Sequence, residues 1–216
     1  MKRKILSIIC IFAGLALLSV PLFFSLYGGM RNRELLEELE KSILEDTGHE
    51  EEMQEDKGKT PSGKTEKAVY QEGDVIGIIE IETLDLKYPV VEGAGSSELS
   101  AGIGHIPDTA GIGAMGNCVL AGHRCSRYGT YFKYLDRVRI GDEIKLTDKE
   151  GNVYLYETEE KRVVDPYDNS VKNQRNKREL TLLTCENNGS MRLVVTCIQK
   201  KKVCTQEKIK LDKYQL

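Results

Sequence analysis

The apolar run Thr181-Leu182-Leu183-Thr184-Cys185 brings a thiol to the end of a strand-like stretch. Arg192, seven residues further on, opens a second apolar run, Arg192-Leu193-Val194-Val195. A polar turn separates them, so the pattern reads as a hairpin with cysteine and arginine across from each other near its tip. A third stretch, Val119-Leu120-Ala121-Gly122-His123-Arg124, ends a short apolar strand on a histidine. A thiol attacks a carbonyl as its thiolate, which a neighbouring cation favours. Arginine stays charged at any working pH and offers a fixed donor to a developing oxyanion. Histidine passes a proton to a leaving amine and takes one from an incoming amine. The three together make a thiol-based acyl-transfer site. Taken singly they have ordinary readings: a buried core cysteine is the commoner outcome, Arg192 is a strand-edge surface residue, and His123 a turn histidine.

The elements that have to position these groups are short and β-type. Val75–Ile81 and Tyr88–Val91 read as strands, with Gly93-Ala94-Gly95-Ser96-Ser97 breaking the second. Gly-rich loops follow at 102–104 and 111–116, then a strand over Cys118–Ala121. Tyr131–Val138 reads as a helical turn carrying Phe132 and Leu135 inward. Glu143–Thr147 and Val153–Thr158 alternate around Asp148-Lys149-Glu150-Gly151-Asn152, which has hairpin-turn chemistry. Arg162–Val164 leads into a polar loop at 165–178. Glu179–Thr184 and Arg192–Ile198 form the hairpin around Asn187-Asn188-Gly189, and Val203–Leu211 is a candidate last strand. Short strands at this spacing argue for an all-β barrel or sandwich with small helical connectors.

Ahead of this domain the texture is different. No charged residue appears from Ile5 through Met30, a run long enough to cross a bilayer as a helix and too long for a signal-peptide core. Residues 1–30 therefore read as a cytoplasmic tip and an uncleaved transmembrane anchor, with Lys2-Arg3-Lys4 holding the N-terminus inside and the rest of the chain outside. Residues 31–67 read as an extracellular stalk: Leu35, Leu36, Leu39, Ile43 and Leu44 recur at helical spacing with Asn32 as N-cap, and 47–67 has linker composition. The helix is either a solvated stalk or an amphipathic segment that docks on the domain and partly covers the site. The domain itself occupies 68–216. Net charge is +3 over the first 27 residues, −5 over 28–67 and −1 over the remainder, so no block is basic enough to bind nucleic acid.

Six cysteines are present, and with Cys10 inside the apolar run the other five leave at least one unpaired. Cys118 with Cys125, and Cys197 with Cys204, stand near enough in sequence to pair or to remain separate thiols. Cys118, His123 and Cys125 lack the fourth ligand and the spacing of a zinc site, so no metal is assigned.

The stretch Thr181–Cys185 with Arg192-Leu193-Val194-Val195 resembles the Thr-Leu-x-Thr-Cys…Arg signature of sortases, the membrane-anchored cysteine transpeptidases of Gram-positive bacterial surfaces. Gly104-His105-Ile106-Pro107-x-Thr109, followed by Gly116-Asn117-x-Val119-Leu120-Ala121-Gly122-His123-Arg124, resembles the segment leading to that family's catalytic histidine. Phe132-x-x-Leu135 and Ile140-Gly141-Asp142 match its pattern downstream, and the resemblance spans 75–198. It implies a mainly β fold, a closed barrel of about eight strands with short helical connectors, following an N-terminal transmembrane helix.

The same resemblance implies roles. Cys185 attacks the Thr carbonyl of a Leu-Pro-x-Thr-Gly-like C-terminal sorting signal on a secreted protein. Arg192 holds the oxyanion, Thr184 helps hold the substrate, and His123 protonates the departing Gly amine to leave a thioacyl-enzyme. An amino group of a peptidoglycan precursor, or a pilin lysine, then takes the acyl group, and neither metal nor organic cofactor takes part. His105 resembles a non-catalytic position. The N-terminal anchor argues against the pilus-building group and the short 158–179 connection against the haem-protein-anchoring group, which leaves classes A and D. The Gly122-His123-Arg124 triplet and the short Cys185-to-Arg192 loop point towards class D. Two other readings remain open at this level: a thiol hydrolase on the same fold using water, and a catalytically silent membrane-tethered scaffold.

Overall fold

The structure, a computed structural model, describes residues 14, 19, 30, 32–44, 70–124 and 129–200. The apolar run at 5–30, apart from residues 14, 19 and 30, the linker at 47–67 and the run Val203–Leu211 lie outside the described residues. Among those described, no helix is long and apolar enough to cross a membrane.

Among the described residues eight strands form the domain: β1 (Val75–Ile81), β2 (Leu86–Glu92), β3 (Ile103–His105), β4 (Gly116–Ala121), β5 (Glu143–Asp148), β6 (Val153–Val164), β7 (Arg178–Glu186) and β8 (Met191–Gln199). They close into a barrel in the order β1-β2-β3-β4-β7-β8-β6-β5, which leaves no exposed sheet edge. Two pairs, β2–β3 and β4–β7, are parallel and the others antiparallel. The closed barrel with few helical connectors is the architecture that the resemblance implied.

Turn chemistry explains the hairpins. Asn187, Asn188 and Gly189 take φ of 48°, 56° and 92°, three left-handed residues in a row that only glycine and small polar side chains adopt at low cost. They close β7 onto β8 with Cys185 opposite Arg192. At the other hairpin Asp148 Oδ1 accepts from the Asn152 amide at 2.8 Å, pinning β5 to β6. Strand character in 153–158 and 162–164 turns out to belong to one twelve-residue strand. A register shift between Thr158 and Glu160 bends it, so that its first half pairs with β5 and its length with β8.

The barrel is filled by alternating residues from each strand, among them Ile79, Ile103, Leu120, Leu146, Leu180 and Leu182. The turn at 131–138 caps it, with Phe132 and Leu135 both 0% exposed, as their inward placement in the sequence predicts. Five consecutive residues of β4, Gly116 to Leu120, are buried, so the strand is covered on both faces. The outer face is covered by the segment after β6, where Asn117 Nδ2 donates to the Val171 carbonyl at 2.9 Å.

Residues 32–44 are helical, and Leu39 is buried. Glu40 meets Lys87 Nζ at 2.6 Å, raising the lysine's affinity for its proton mainly through that hydrogen bond, and Ile43 lies against Gly151. These contacts fall on the β1–β2–β5 wall, across the barrel from β4, β7 and β8. The amphipathic stripe thus docks, but on the side away from Cys185. Asn32 does not cap the helix: residue 30 is already helical, so Asn32 sits inside it.

Phe132→Ala empties a fully buried ring site and is expected to destabilise the domain by about 3–5 kcal/mol, read from urea unfolding.

Candidate active site

The site is assembled by strand register. β7 pairs in parallel with β4, Ala121 standing level with Leu183, and the Gly122 amide continues the ladder by donating to the Leu183 carbonyl at 3.0 Å. One further step sets His123 beside Cys185. On the other side of β7, the antiparallel ladder puts Arg192 of β8 directly across from Cys185. Three strands therefore deliver the imidazole, the thiol and the guanidinium to neighbouring positions at one end of the barrel.

Alternation then decides the face. Leu180 and Leu182 of β7, Leu193 and Val195 of β8 and Cys118 and Leu120 of β4 fill the core. Cys185, Arg192 and His123 have the opposite parity and belong to the outer face, with Leu183, Val194 and Val164 beside them as apolar neighbours. Cys185 is half-buried, as are His123 and Arg192. Arg192 Nη1 donates to the carbonyls of Gly189 and Met191 at 2.9 and 3.0 Å, which fixes the side chain on its turn. Among the described residues these bonds engage only one of its three nitrogens.

His123 is held by its surroundings. Its carbonyl accepts from the Phe132 amide at 3.1 Å, and the Tyr131 ring meets its ring edge-on, centroids 6.3 Å apart. Tyr131 has a φ of 36°, a strained value for an aromatic residue. The strain is maintained by a 2.6 Å bond from its hydroxyl to the Ser100 carbonyl and by stacking with Tyr88 at 4.9 Å. Gly122, just before His123, has no room for a side chain: a Cβ there would lie 2.7 Å from Phe132 Cδ2 and 2.8 Å from Ile103 Cδ1.

Thr184 corrects one expectation. Its side chain is 2% exposed and its hydroxyl donates to the Gly122 carbonyl at 2.7 Å. The hydroxyl is thus engaged in tying β7 to the end of β4, and the buried residue offers almost no surface to a substrate. His105 is similarly committed to the fold. Its Nδ1 lies 2.8 Å from Glu92 Oε2, and its Nε2 lies 3.0 Å from the Ala110 carbonyl and 3.1 Å from Thr109 Oγ1. This is the non-catalytic placement its setting suggested.

Cys118, Cys185 and Cys197 are free thiols. Cys118 and Cys197 point into the barrel, where burial pushes both thiols up to about 12 and leaves them inert. Cys185 alone of the three reaches the surface. Cys125 and Cys204 lie outside the described residues. Among the described residues no group of three His, Cys, Asp or Glu side chains is arranged to hold a metal ion.

An ion pair beside the site went unnoticed in the sequence, where Arg124 figured only in a motif and Glu186 not at all. Arg124 follows His123 and Glu186 follows Cys185, and their side chains form an ion pair between Nη1 and Oε2. Arg124 Nη2 also lies 3.4 Å from Asp136 Oδ1. The signal was present only in combination: once His123 and Cys185 are neighbours on parallel strands, the oppositely charged residues that follow them must be neighbours too.

An accessible thiol flanked by an imidazole and a guanidinium, on the outer face of a closed barrel, defines a cysteine acyl-transfer enzyme. The chain belongs to the sortase family, whose Sortase domain model matches residues 79–200, and it is a cysteine transpeptidase. It is similar to Sortase D of Bacillus subtilis, 29% identical over 188 residues that make up 85% of this chain and 89% of that protein. Sortase A of Listeria monocytogenes is 32% identical over 119 residues, 55% of this chain and about half, 53%, of that protein. Among solved structures, a Clostridium perfringens Sortase D5 transpeptidase superposes with a TM-score of 0.63 at 28% identity, covering 80% of this chain and 99% of that one. These likenesses agree with a class D or class A-like member.

Iodoacetamide added to the native protein is expected to alkylate Cys185 well before Cys118 or Cys197, by peptide mass mapping; equal rates would contradict the burial pattern. Thr184→Val leaves the Gly122 carbonyl without its donor and is expected to lower stability by about 1–3 kcal/mol in urea unfolding, with Thr184→Ser retaining most of it.

Proposed function

We propose that the enzyme cleaves a Leu-Pro-x-Thr-Gly-like sorting signal between Thr and Gly and transfers the carrier protein to an amine of the cell wall. The observation that carries this reading is the ladder register that sets Arg192 opposite Cys185 and, by continuation, His123 beside it. The Cys185 thiolate attacks the threonine carbonyl, forming a C–S bond and a tetrahedral oxyanion. Arg192 offers N–H donors to that oxygen, so its charge is met by a cation already in place. As the amide C–N bond breaks, His123 gives its proton to the glycine nitrogen, and a thioester remains on Cys185. An incoming amine attacks the thioester, gives a proton to His123 and expels the thiolate, which restores the site. Leu183 and Val164, both half-buried, supply an apolar surface against which the extended signal peptide packs.

The wider setting follows the same reading. Residues 1–30 would be the cytoplasmic tip and membrane anchor, 31–67 an extracellular stalk with its docked helix, and 68–216 the catalytic domain on the outer side of the membrane. Its partners would be secreted proteins carrying the signal, and a peptidoglycan precursor or a pilin lysine as the acceptor. The long uncharged run from Ile5 to Met30 and the basic residues before it support this placement.

The test is a Leu-Pro-x-Thr-Gly peptide incubated with the purified enzyme, with and without triglycine as acceptor. A transpeptidation product that depends on triglycine is expected, and its absence alongside free-acid product would identify a hydrolase instead. Cys185→Ala is expected to abolish turnover with the unfolding midpoint unchanged. Arg192→Lys keeps the charge but loses the planar fork, and is expected to lower kcat towards the ~10²–10³-fold loss seen when an oxyanion donor is removed.

A further inference from the structure

Cys185 acts at the end of a strand and His123 just past the end of another, beyond the last ladder bond between them. Backbone pairing alone therefore does not hold the imidazole at the thiol. The residues that follow each of them do. Arg124 Nη1 pairs with Glu186 Oε2 across the gap between the two strand ends. Its Nη2 reaches Asp136 Oδ1 at 3.4 Å, in the helical turn Leu135–Arg137 that Leu135 anchors in the core. The second Glu186 oxygen accepts from the Asn187 amide at 3.3 Å, tying the same carboxylate to the turn that sets the register of Arg192.

We propose that the Arg124–Glu186 ion pair, braced by Asp136, is a positioning device that holds His123 against Cys185 for the acyl-transfer reaction; this rests on the transpeptidase reading above. Both side chains are partly covered, 26% and 21% exposed, so the pair is screened less than a surface pair yet adds little to stability by itself. Its effect is geometric: a misplacement of about 1 Å between reacting groups lowers rate by up to ~10²-fold without unfolding anything. The pair also matters for charge. An unpaired Glu186 carboxylate would stand directly after the sulfur that has to become anionic, and Arg124 neutralises it.

The test compares the wild type with Arg124→Gln, Arg124→Lys, Glu186→Gln and the double Gln variant. Two readouts are used: kcat and KM for the Leu-Pro-x-Thr-Gly peptide with triglycine, and the rate of Cys185 alkylation by iodoacetamide at neutral pH. Each Gln variant is expected to lower kcat about 10- to 100-fold with KM within about threefold, since geometry and not substrate affinity is lost. The double variant is expected to be no worse than the poorer single, the mark of two residues acting as one pair. Arg124→Lys, which keeps the charge, is expected to recover most of the rate, and Arg124→Gln, unlike Arg124→Lys, to slow alkylation. An unchanged kcat in Arg124→Gln, losses that multiply in the double variant, or a fall in kcat matched by a collapse of the thermal midpoint would overturn the proposal. If the wild type leaves the peptide untouched, the transpeptidase reading fails on its own, while the alkylation comparison still decides whether the Arg124–Glu186 pair acts on Cys185.

Discussion

β4 and β7 run side by side in the same direction, and no tight turn can join two strands so arranged. The connection between them has to travel through β5, β6 and the segment after β6 before β7 can be laid down beside β4. Everything at the site depends on that pairing being correct to the residue, because a slip of one position would turn Cys185 into the core. Asn117 secures it. Its Oδ1 accepts from Thr181 Oγ1 at 2.8 Å, its Nδ2 donates to Val171, and its backbone exchanges bonds with the Gln174 amide group. Strand pair and crossing segment are thus locked by one buried side chain whose bonding capacity is filled.

From this constraint the chemistry follows with little further adjustment. Cys185 and Arg192, the proposed nucleophile and oxyanion donor, sit on paired strands of a closed barrel, so their separation is set by the ladder and not by loop conformation. The histidine sits two residues past its strand, and the fold compensates with Gly122 packed against Phe132, a strained Tyr131 at the ring edge and the charged pair behind. Strain of this kind persists only where the surroundings over-determine it. The Thr184–Gly122 bond closes the remaining gap between the two strand ends.

The same barrel shows how one residue type acquires opposite properties. Cys118, Cys185 and Cys197 are three free thiols, two buried and one accessible. Parity along the strand separates them, since Cys197 and Cys118 face inward with Leu193 and Leu120 while Cys185 faces outward with Leu183. Desolvation suppresses the thiolate of the first two, so selectivity for Cys185 needs no special activation of the others' competitor. The stalk helix illustrates a related point. An amphipathic stripe states that a helix will dock, and the location of the complementary surface, here the β1–β2–β5 wall, determines where.

The residue order alone determined most of the strands, because alternation, Gly and Asn turns and short apolar runs are local signals with local causes; β3 (Ile103–His105) falls in a stretch that reads as a Gly-rich loop, since three residues carry no period of their own. The residue order also singled out Cys185, His123 and Arg192 as the candidate site residues, since a thiol, an imidazole and a guanidinium in those motifs have few other uses together. Local signals could not reveal that the strand residues of 153–158 and 162–164 form one bent strand, nor that residue 30 makes Asn32 an interior helical position. They could not separate a substrate contact from a structural one at Thr184 either, because burial is a property of what packs against a residue. The Arg124–Glu186 pair was beyond reach for the same reason. Its two members are 62 positions apart, and only the parallel register of β4 and β7, a long-range pairing with no local signature, makes them neighbours.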